Sequence, residues 1–234
     1  MNRELLISGL SALGIEPEEE RLCRFADYSA LLKEWNQKMN LTAVCDDDGI
    51  SVKHFLDSVL PLASVELPQN AAVLDLGTGA GFPGIPVKIL RPDLRLTLMD
   101  ALQKRIRFLQ EVCDKLGFAD VALVHGRAED CGKQAIYREQ FDCVLSRAVA
   151  NMTVLCEYCL PFVKVGGMFL ALKSESAEEE VTVAKPMIGN LGGTVEDIIS
   201  APLPESDILR KIVVVRKTSP TPKQFPRRAN KIKK

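Results

Sequence analysis

Apolar residues recur at spacings of three and four along the first part of the chain, which is the period of an amphipathic helix. Six of them share one face of such a helix: Leu22, Phe25, Tyr28, Leu32, Trp35 and Met39. Asn40 interrupts the pattern, and the polar stretch 46–49 is suited to start another helix. We therefore expect residues 1–70 to form a helical N-terminal segment.

Between residues 71 and 217 the pattern changes to short apolar runs that alternate with helical stretches. Five runs predict strands: residues 72–76, 95–100, 121–124, 141–146 and 168–172. The stretch from Lys104 to Leu116 has helical spacing and stops at Gly117. This alternation predicts an α/β fold, a mostly parallel sheet covered by helices on both faces. Two later runs, 193–199 and 211–216, are joined by a loop, so we expect an antiparallel hairpin at the edge of a seven-stranded sheet.

The last part of the chain, residues 218–234, has a composition that cannot build a core of its own. It contains three prolines, no acidic residue and six basic ones: Lys223, Arg227, Arg228, Lys231, Lys233 and Lys234. Two interpretations stand open, a solvated, disordered end or an arm that binds a phosphate backbone. The chain thus divides into residues 1–70, 71–217 and 218–234.

Composition narrows the class of protein. The formal net charge is -1, so any nucleic-acid binding must come from a local basic patch and not from bulk charge. No apolar run is long enough to span a bilayer, and the N-terminus lacks the features of a signal peptide, so no membrane association is expected. Seven unpatterned cysteines indicate reduced thiols and a cytoplasmic location. Cys156 and Cys159 form one isolated pair, so no metal site is expected.

A glycine-rich loop, residues 77–84, follows the first predicted strand. Glycines such as Gly77 and Gly79 let the backbone approach a ligand closely in front of a helix N-terminus. The spacing G-x-G-x-x-G alone is a weak signal that also suits an NAD-dependent dehydrogenase. Asp75 and Pro83 favour S-adenosyl-L-methionine, because a carboxylate repels a pyrophosphate and proline removes an N–H group that a pyrophosphate would use. Asp75 is suited to contact the methionine ammonium of that cofactor or to order the loop.

Acidic residues follow the next two strands. Asp100 ends the second strand, where a carboxylate accepts hydrogen bonds from ribose hydroxyls in both cofactor classes. The alternative for Asp100 is a helix N-cap before Lys104. Ala128 and Glu129 follow the third strand, where we expect the adenine of the cofactor, and a solvated acidic turn is the alternative.

Polar residues also mark the substrate side. Arg147 ends the fourth strand at the mouth of the predicted site and is suited to a carboxylate or a phosphate. Lys173 ends the fifth strand, where it either adds positive charge to that mouth or is a surface lysine. His54 and Asp57 stand one helical turn apart. They either border the substrate side or tie the helical segment to the sheet, and the sequence favours the second interpretation.

Four motifs, in this order, resemble the glucose-inhibited division protein B family, also called RsmG. They are Trp35–Thr42, Lys53–Ser58, Asp75–Pro86 and Ser146–Ala148, and the resemblance runs from about residue 20 to residue 228. It implies a class I, Rossmann-like, S-adenosylmethionine-dependent methyltransferase. It also implies transfer of a methyl group to N7 of a guanosine, position 527 in the 530 loop, of 16S rRNA or the small ribosomal subunit. The cofactor contacts that it implies are Gly77, Phe82, Ala128, Glu129 and Arg147.

The reaction that this resemblance implies needs no catalytic acid or base, because guanine N7 carries a free lone pair. Catalysis then rests on alignment of the reacting atoms and on electrostatic support. A catalytically silent, cofactor-binding RNA module remains an alternative, and we expect a monomer. Five residues are candidates for the substrate side: His54, Arg147, Lys173, Arg227 and Arg228.

Overall fold

The computed structural model describes residues 1–232, so the predictions for Lys233 and Lys234 lie outside the described residues. Helices form the N-terminal segment: α1 Arg3–Ala12, α2 Glu19–Asn36, α3 Asp47–Gly49 and α4 Asp57–Ser64. A π-helical segment, Ile50–Leu56, joins α3 to α4. The predicted apolar face of α2 is buried from Leu22 to Leu32, whereas Met39 lies beyond the end of the helix.

Seven strands form one sheet: β1 Ala72–Leu76, β2 Arg95–Asp100, β3 Ala122–His125, β4 Phe141–Arg147, β5 Val163–Lys173, β6 Gly193–Pro202 and β7 Leu209–Lys217. Their order is β3-β2-β1-β4-β5-β7-β6. The first five strands pair in parallel, and β7 is antiparallel to both β5 and β6. The prediction of a mostly parallel sheet with an antiparallel hairpin at its edge is therefore confirmed. Because β7 runs antiparallel to β5, its first residues lie beside the carboxyl end of β5, with Lys211 opposite Lys173.

Helices cover both faces of the sheet: α5 Gly84–Leu90, α6 Gln103–Leu116, α7 Ala128–Cys131, α8 Met152–Cys159 and α9 Ala177–Asn190. Alternate side chains of β1 enter two separate apolar clusters, with Val73 in one and Leu74 in the other. The first cluster contains the buried residues of α2 and α6, and the second those of α8 and α9. Gly117 ends α6 in the left-handed conformation, at a φ of 71°, where the sequence predicts the stop.

The C-terminal tail corrects an expectation drawn from its composition. Residues 218–232 pack on the body of the protein, with Phe225 buried in the second apolar cluster. Buried polar anchors hold this segment, so it needs little apolar area of its own. The Lys217 ammonium, for example, donates to the Thr221 hydroxyl at 2.7 Å and to the Leu160 carbonyl at 2.8 Å. For the described part of the tail, the interpretation as a disordered end is therefore wrong.

Two features of residues 1–232 concern membranes and metals. No helix in this range is both long enough and apolar enough to cross a bilayer. In the same range, histidine, cysteine and acidic side chains form no group of three that could hold a metal ion. Cys156 and Cys159 are free thiols buried in α8.

Candidate active site

The glycine loop lies at the point where the strand order of the sheet reverses. β1 has β2 on one side and β4 on the other, and ligands of open α/β sheets bind beyond the carboxyl ends of strands at such a point. Gly77 and Gly81 have φ angles of 72° and 98°, which strain any residue with a side chain. A Cβ on Gly77 would lie 2.6 Å from Val149, and one on Gly81 would lie 2.7 Å from the Tyr28 hydroxyl. The loop is thus confined on both sides by the protein.

Asp75 is buried beneath this loop. Its Oδ2 accepts hydrogen bonds from the Thr78 hydroxyl at 2.6 Å and from the Gly84 N–H at 2.7 Å. Its Oδ1 has no hydrogen-bond partner among the described residues. Burial raises the pKa of Asp75 to about 6, against the lowering effect of the Thr78 and Gly84 hydrogen bonds. Of the two roles considered for Asp75, its observed contacts are those that order the loop.

An aromatic column joins the helical segment to the loop. The Tyr28 hydroxyl donates to the Ala80 carbonyl, and the Phe82 ring lies 5.4 Å from the Tyr28 ring. On Phe82 the His54 imidazole stacks at 4.5 Å with an interplanar angle of 15°. The Arg147 guanidinium lies 5.1 Å from the same ring, within range of a cation–π interaction. Phe82 is only 6 % exposed, so its side chain supports the site from within the core and lines neither of the two clefts described below.

A cleft of about 360 Å³ opens over the ends of β1, β2 and β3, and we call it the β1–β3 cleft. Four predicted cofactor residues line it together: Gly77, Asp100, Ala128 and Glu129. Reasoning from the sequence missed other lining residues: Val149, Tyr158 and Ile232. Val149 and Tyr158 follow β4, and Ile232 comes from the tail, so no local motif marks them.

Asp100 connects this cleft to the glycine loop. Its carboxylate is 4 % exposed and accepts hydrogen bonds from the Gly79 N–H at 3.0 Å and the Leu102 N–H at 2.9 Å. Arg105 forms an ion pair with it at 3.1 Å. The N-cap of α6 is Leu102, so Asp100 does not fill the capping position that was its alternative role. Glu129 is 7 % exposed in α7, which also corrects its alternative as a solvated acidic turn.

A second cleft, of about 500 Å³, lies over the ends of β4, β5 and β7, and we call it the β4–β7 cleft. The charged and titratable residues that line it are Lys53, His54, Asp57, Arg147, Lys173, Glu180 and Arg210. Four of these were selected from the sequence, and the structure brings all four together. The other three, Lys53, Glu180 and Arg210, were missed as site residues. Arg210 reaches the cleft only because β7 inserts beside β5, which no local pattern indicates.

Asp57 holds two cations at the floor of the β4–β7 cleft. Its carboxylate accepts from Arg147 Nη1 at 2.9 Å and from Arg210 Nε at 2.8 Å, and its side chain is 4 % exposed. Arg147 also donates to the Lys53 carbonyl at 3.1 Å. These contacts tie α4 and the π-helical segment to the sheet, which is the structural role that the sequence favours for Asp57. They also place Arg147 in the β4–β7 cleft and not among the residues that line the β1–β3 cleft.

His54 and Lys173 have defined states in this cleft. His54 Nε2 lies 2.8 Å from the Thr42 hydroxyl, and its Nδ1 has no hydrogen-bond partner in the described range. Burial, followed by the charge of Arg147, lowers the pKa of His54 to about 4, so the ring is neutral at neutral pH. The Lys173 ammonium donates to the Ala150 carbonyl and to Glu180, each at 2.7 Å. Lys173 is therefore an anchored lysine of the cleft and not a free surface lysine.

Two predicted substrate-side residues lie elsewhere. Arg227 and Arg228 line neither cleft, because the tail carries them to a separate groove beside Lys133. Arg227 forms a bidentate pair with the fully buried Glu157, with Nη2 2.5 Å from Oε2 and Nε 2.9 Å from Oε1. Arg227 is thus first of all a structural anchor of the tail.

The strand order, the glycine loop after β1 and the paired clefts define a class of protein, the Rossmann-like methyltransferases that use S-adenosylmethionine. Solved structures of this class share the fold. One is an S-adenosylmethionine-dependent methyltransferase from Aquifex aeolicus, with a TM-score of 0.54, 15% identity, and coverage of 78% of this chain and 97% of that one. Another is precorrin-6y C5,15-methyltransferase from Geobacter metallireducens, with a TM-score of 0.51, 17% identity, and coverage of 68% and 88%.

The chain belongs to the GidB family, rRNA small subunit methyltransferase G, whose profile matches residues 21–205. Two relatives bear the name ribosomal RNA small subunit methyltransferase G. The protein of Acetivibrio thermocellus is 49% identical over 229 residues, which cover 98% of this chain and 94% of that protein. The protein of Clostridium botulinum is 44% identical over 230 residues, which cover 98% and 96%. This membership confirms the resemblance found in the sequence and decides against the dehydrogenase alternative.

Proposed function

We propose that this protein transfers a methyl group from S-adenosyl-L-methionine to N7 of a guanosine in 16S rRNA, the guanosine at position 527. The observation that carries the proposal is the arrangement of the two clefts. The β1–β3 cleft has carboxylates at the ends of its strands, the β4–β7 cleft is rich in cations, and the neighbouring residues Ala148 and Val149 line one cleft each. A cofactor in the first cleft and an RNA nucleotide in the second would meet at the segment that carries Ala148 and Val149.

The residues of the β1–β3 cleft fit the cofactor. Gly77 lacks the Cβ that would lie 2.6 Å from Val149, so the loop has no room for a side chain at this position. Asp75 lies buried beneath the loop, outside the lining of the cleft, and one of its oxygens has no hydrogen-bond partner in the described range. That oxygen is an acceptor suited to the methionine ammonium, Asp100 is suited to ribose hydroxyls, and Ala128 and Glu129 are suited to the adenine edge. When bound, S-adenosylmethionine supplies an electrophilic methyl group on a sulfonium.

The residues of the β4–β7 cleft suit an RNA acceptor. Lys53, Arg147 and Arg210 bring positive charge to a concave surface, and such groups bind the phosphates of RNA. Asp57 partly balances this charge and fixes both guanidinium groups. Sequence-specific RNA sites are usually loops with splayed bases, so we expect an unpaired guanosine to enter the cleft.

The proposed reaction requires the protein to align the two reactants, and it requires no proton transfer to or from a side chain. Guanine N7 already carries a free lone pair, so no side chain needs to remove a proton before methyl transfer. Holding two reactants in line contributes up to about 7–11 kcal/mol to lowering a barrier. The neutral state of His54 agrees with a role in packing or positioning, because its ring stacks on Phe82 and its Nε2 contacts the Thr42 hydroxyl.

Purified protein, labelled S-adenosylmethionine and small ribosomal subunits that lack the modification provide the test. We expect label in 16S rRNA and chain cleavage at a single N7-methylguanosine. Naked 16S rRNA in a parallel reaction shows whether the free RNA or the particle is the acceptor. Binding of S-adenosylhomocysteine without any transfer would favour the catalytically silent module. Light scattering on the same preparation checks the expected monomer, and a ribosomal acceptor agrees with the cytoplasmic location that the cysteines indicate.

A further inference from the structure

A groove of about 430 Å³ lies between the tail and Lys133, in the loop that follows α7, and we call it the tail groove. The residues that line it are Lys133, Gln224, Phe225, Pro226, Arg227, Arg228 and Lys231. Four of these seven side chains are cationic, and none is acidic. Such a concentration of positive charge stands out in a chain whose formal net charge is -1.

The tail groove is a built surface, because buried contacts fix both of its walls. The Arg138 guanidinium donates to the Gly132 carbonyl at 2.9 Å and to the Phe225 carbonyl at 2.8 Å, so one side chain joins the two walls. A Cβ on Gly132 would lie 3.2 Å from Pro226, which shows how closely the walls approach. Glu157, with no exposed surface, binds the Arg227 backbone N–H at 2.7 Å as well as its guanidinium.

Three cations of the groove remain available to a ligand. Lys133, Arg228 and Lys231 are exposed, and within residues 1–232 their side chains form no ion pair or hydrogen bond. The single aromatic residue of the lining, Phe225, is 7 % exposed and offers little apolar contact. Protein interfaces depend on exposed aromatic anchors at their centre, so the groove suits a polyanion better than a protein surface.

We propose that the tail groove binds phosphates of the RNA backbone, outside the cleft that takes the target nucleotide. The inference rests on the proposed function, which supplies an RNA as the partner. The tail itself supports it, because the residue after Lys231 in the chain, Ile232, lines the β1–β3 cleft. RNA held in the groove therefore lies beside the cofactor cleft. Arg227 contributes indirectly, as the anchor that places Arg228.

Deletion of the tail does not test this proposal, because it would also expose the apolar pocket of Phe225 and leave Glu157 buried without a partner. A triple variant, Lys133→Gln, Arg228→Gln and Lys231→Gln, removes only exposed charges. The control is Lys38→Gln, Arg107→Gln and Lys115→Gln, three exposed cations on or near α2 and α6, of which Lys38 and Lys115 form exposed ion pairs with Glu34 and Asp27. The buried faces of α2 and α6 belong to the first apolar cluster, whereas Phe225 belongs to the second, on the other face of the sheet.

The measurement is the affinity for unmodified 16S rRNA over a salt series. Each phosphate contact on single-stranded nucleic acid contributes about 0.7 to the slope of log affinity against log salt, so three contacts contribute about 2. When the salt concentration rises from about 50 to 200 mM, the ratio of the RNA affinity of the wild type to that of the triple variant should fall by roughly 20-fold. The control should keep the slope of the wild type, and S-adenosylhomocysteine should raise the melting temperature of all three proteins alike.

The outcomes separate this inference from the proposed function. If the wild type methylates 16S rRNA but the triple variant keeps the wild-type salt slope, the groove proposal is wrong and the proposed enzymatic function still stands. A control that loses as much slope as the triple variant also overturns it, because the effect would then follow bulk charge. If the wild type neither binds nor methylates RNA, the proposed function itself is wrong.

Discussion

Replacing Asp57 tests the network that joins the helical segment, β4 and β7. In Asp57→Ala the Arg147 and Arg210 guanidinium groups lose their shared carboxylate, and they stand 14 % and 27 % exposed. Removing one partner of a buried ion pair costs about 3–5 kcal/mol, since the remaining charge stays uncompensated. Because Arg210 is partly exposed to solvent, we reduce the expected loss in the free energy of unfolding to about 2–4 kcal/mol.

Thermal and denaturant unfolding of the purified protein measure this loss. At this chain length 1 kcal/mol corresponds to about 2–4 °C, so the melting temperature should fall by roughly 5–15 °C. Asp57→Asn keeps the shape and an acceptor oxygen, and its loss should be smaller than that of Asp57→Ala. The double variant Asp57→Ala with Arg210→Met should recover part of the loss, because it removes one uncompensated charge. A melting temperature of Asp57→Ala within 1–2 °C of the wild type, roughly 0.5 kcal/mol, would show that the Asp57 ion pairs do not stabilise the fold.

Three further predictions concern the loop and its supports. Asp75 has a pKa raised to about 6, so its protonated form stabilises the fold fully below about pH 4, and this contribution is lost as the pH rises through 6. Denaturation of wild type and Asp75→Asn at several pH values should therefore show the wild type losing stability relative to the variant from pH 4 to 7; a constant difference contradicts this. His54 has a pKa lowered to about 4, so its contribution is present above about pH 6.5 and is lost as the pH falls towards 4. His54→Gln should lose less stability than the wild type over that range, and an equal loss in both proteins counts against a buried neutral imidazole. In Gly77→Ala the new Cβ would lie 2.6 Å from Val149 and the residue would have to keep a φ of 72°. S-adenosylhomocysteine should therefore raise the melting temperature of this variant far less than that of the wild type. An equal rise would show that the cofactor does not need the close approach of the Gly77 backbone.

Local patterns in the sequence predicted the seven strands of this fold, although β5 begins at Val163 and not at Met168, and the π-helical segment was not predicted. Strand positions follow from short apolar runs, and the end of α6 follows from Gly117, because both depend on neighbours in the chain. That Gly77, Asp100 and Glu129 line one cleft was predictable for the same reason, since each lies at or shortly after the end of a strand. Parallel strands bring their carboxyl ends to one edge of the sheet, and this alone collects those residues in one cleft.

The features of the site and the tail that the sequence did not predict depend on contacts between segments distant in the chain. Arg210 joins Asp57 across 153 residues, through the insertion of β7 beside β5. The tail looks disordered by composition, yet Arg138 and Glu157 hold it through buried polar contacts. A basic, proline-rich segment gives no sign of such partners. For the same reason the sequence assigned Arg227 to the substrate side, whereas the structure makes it an anchor.

The activity proposed for this chain is methylation of N7 of one guanosine in 16S rRNA. Nucleoside mapping of 16S rRNA from cells with and without the gene tests it most directly. We predict N7-methylguanosine at position 527 in the parent cells, its loss on deletion, and its return with the wild-type gene but not with a Gly77→Ala copy expressed at the same level. An unchanged modification at that position after deletion would contradict the account.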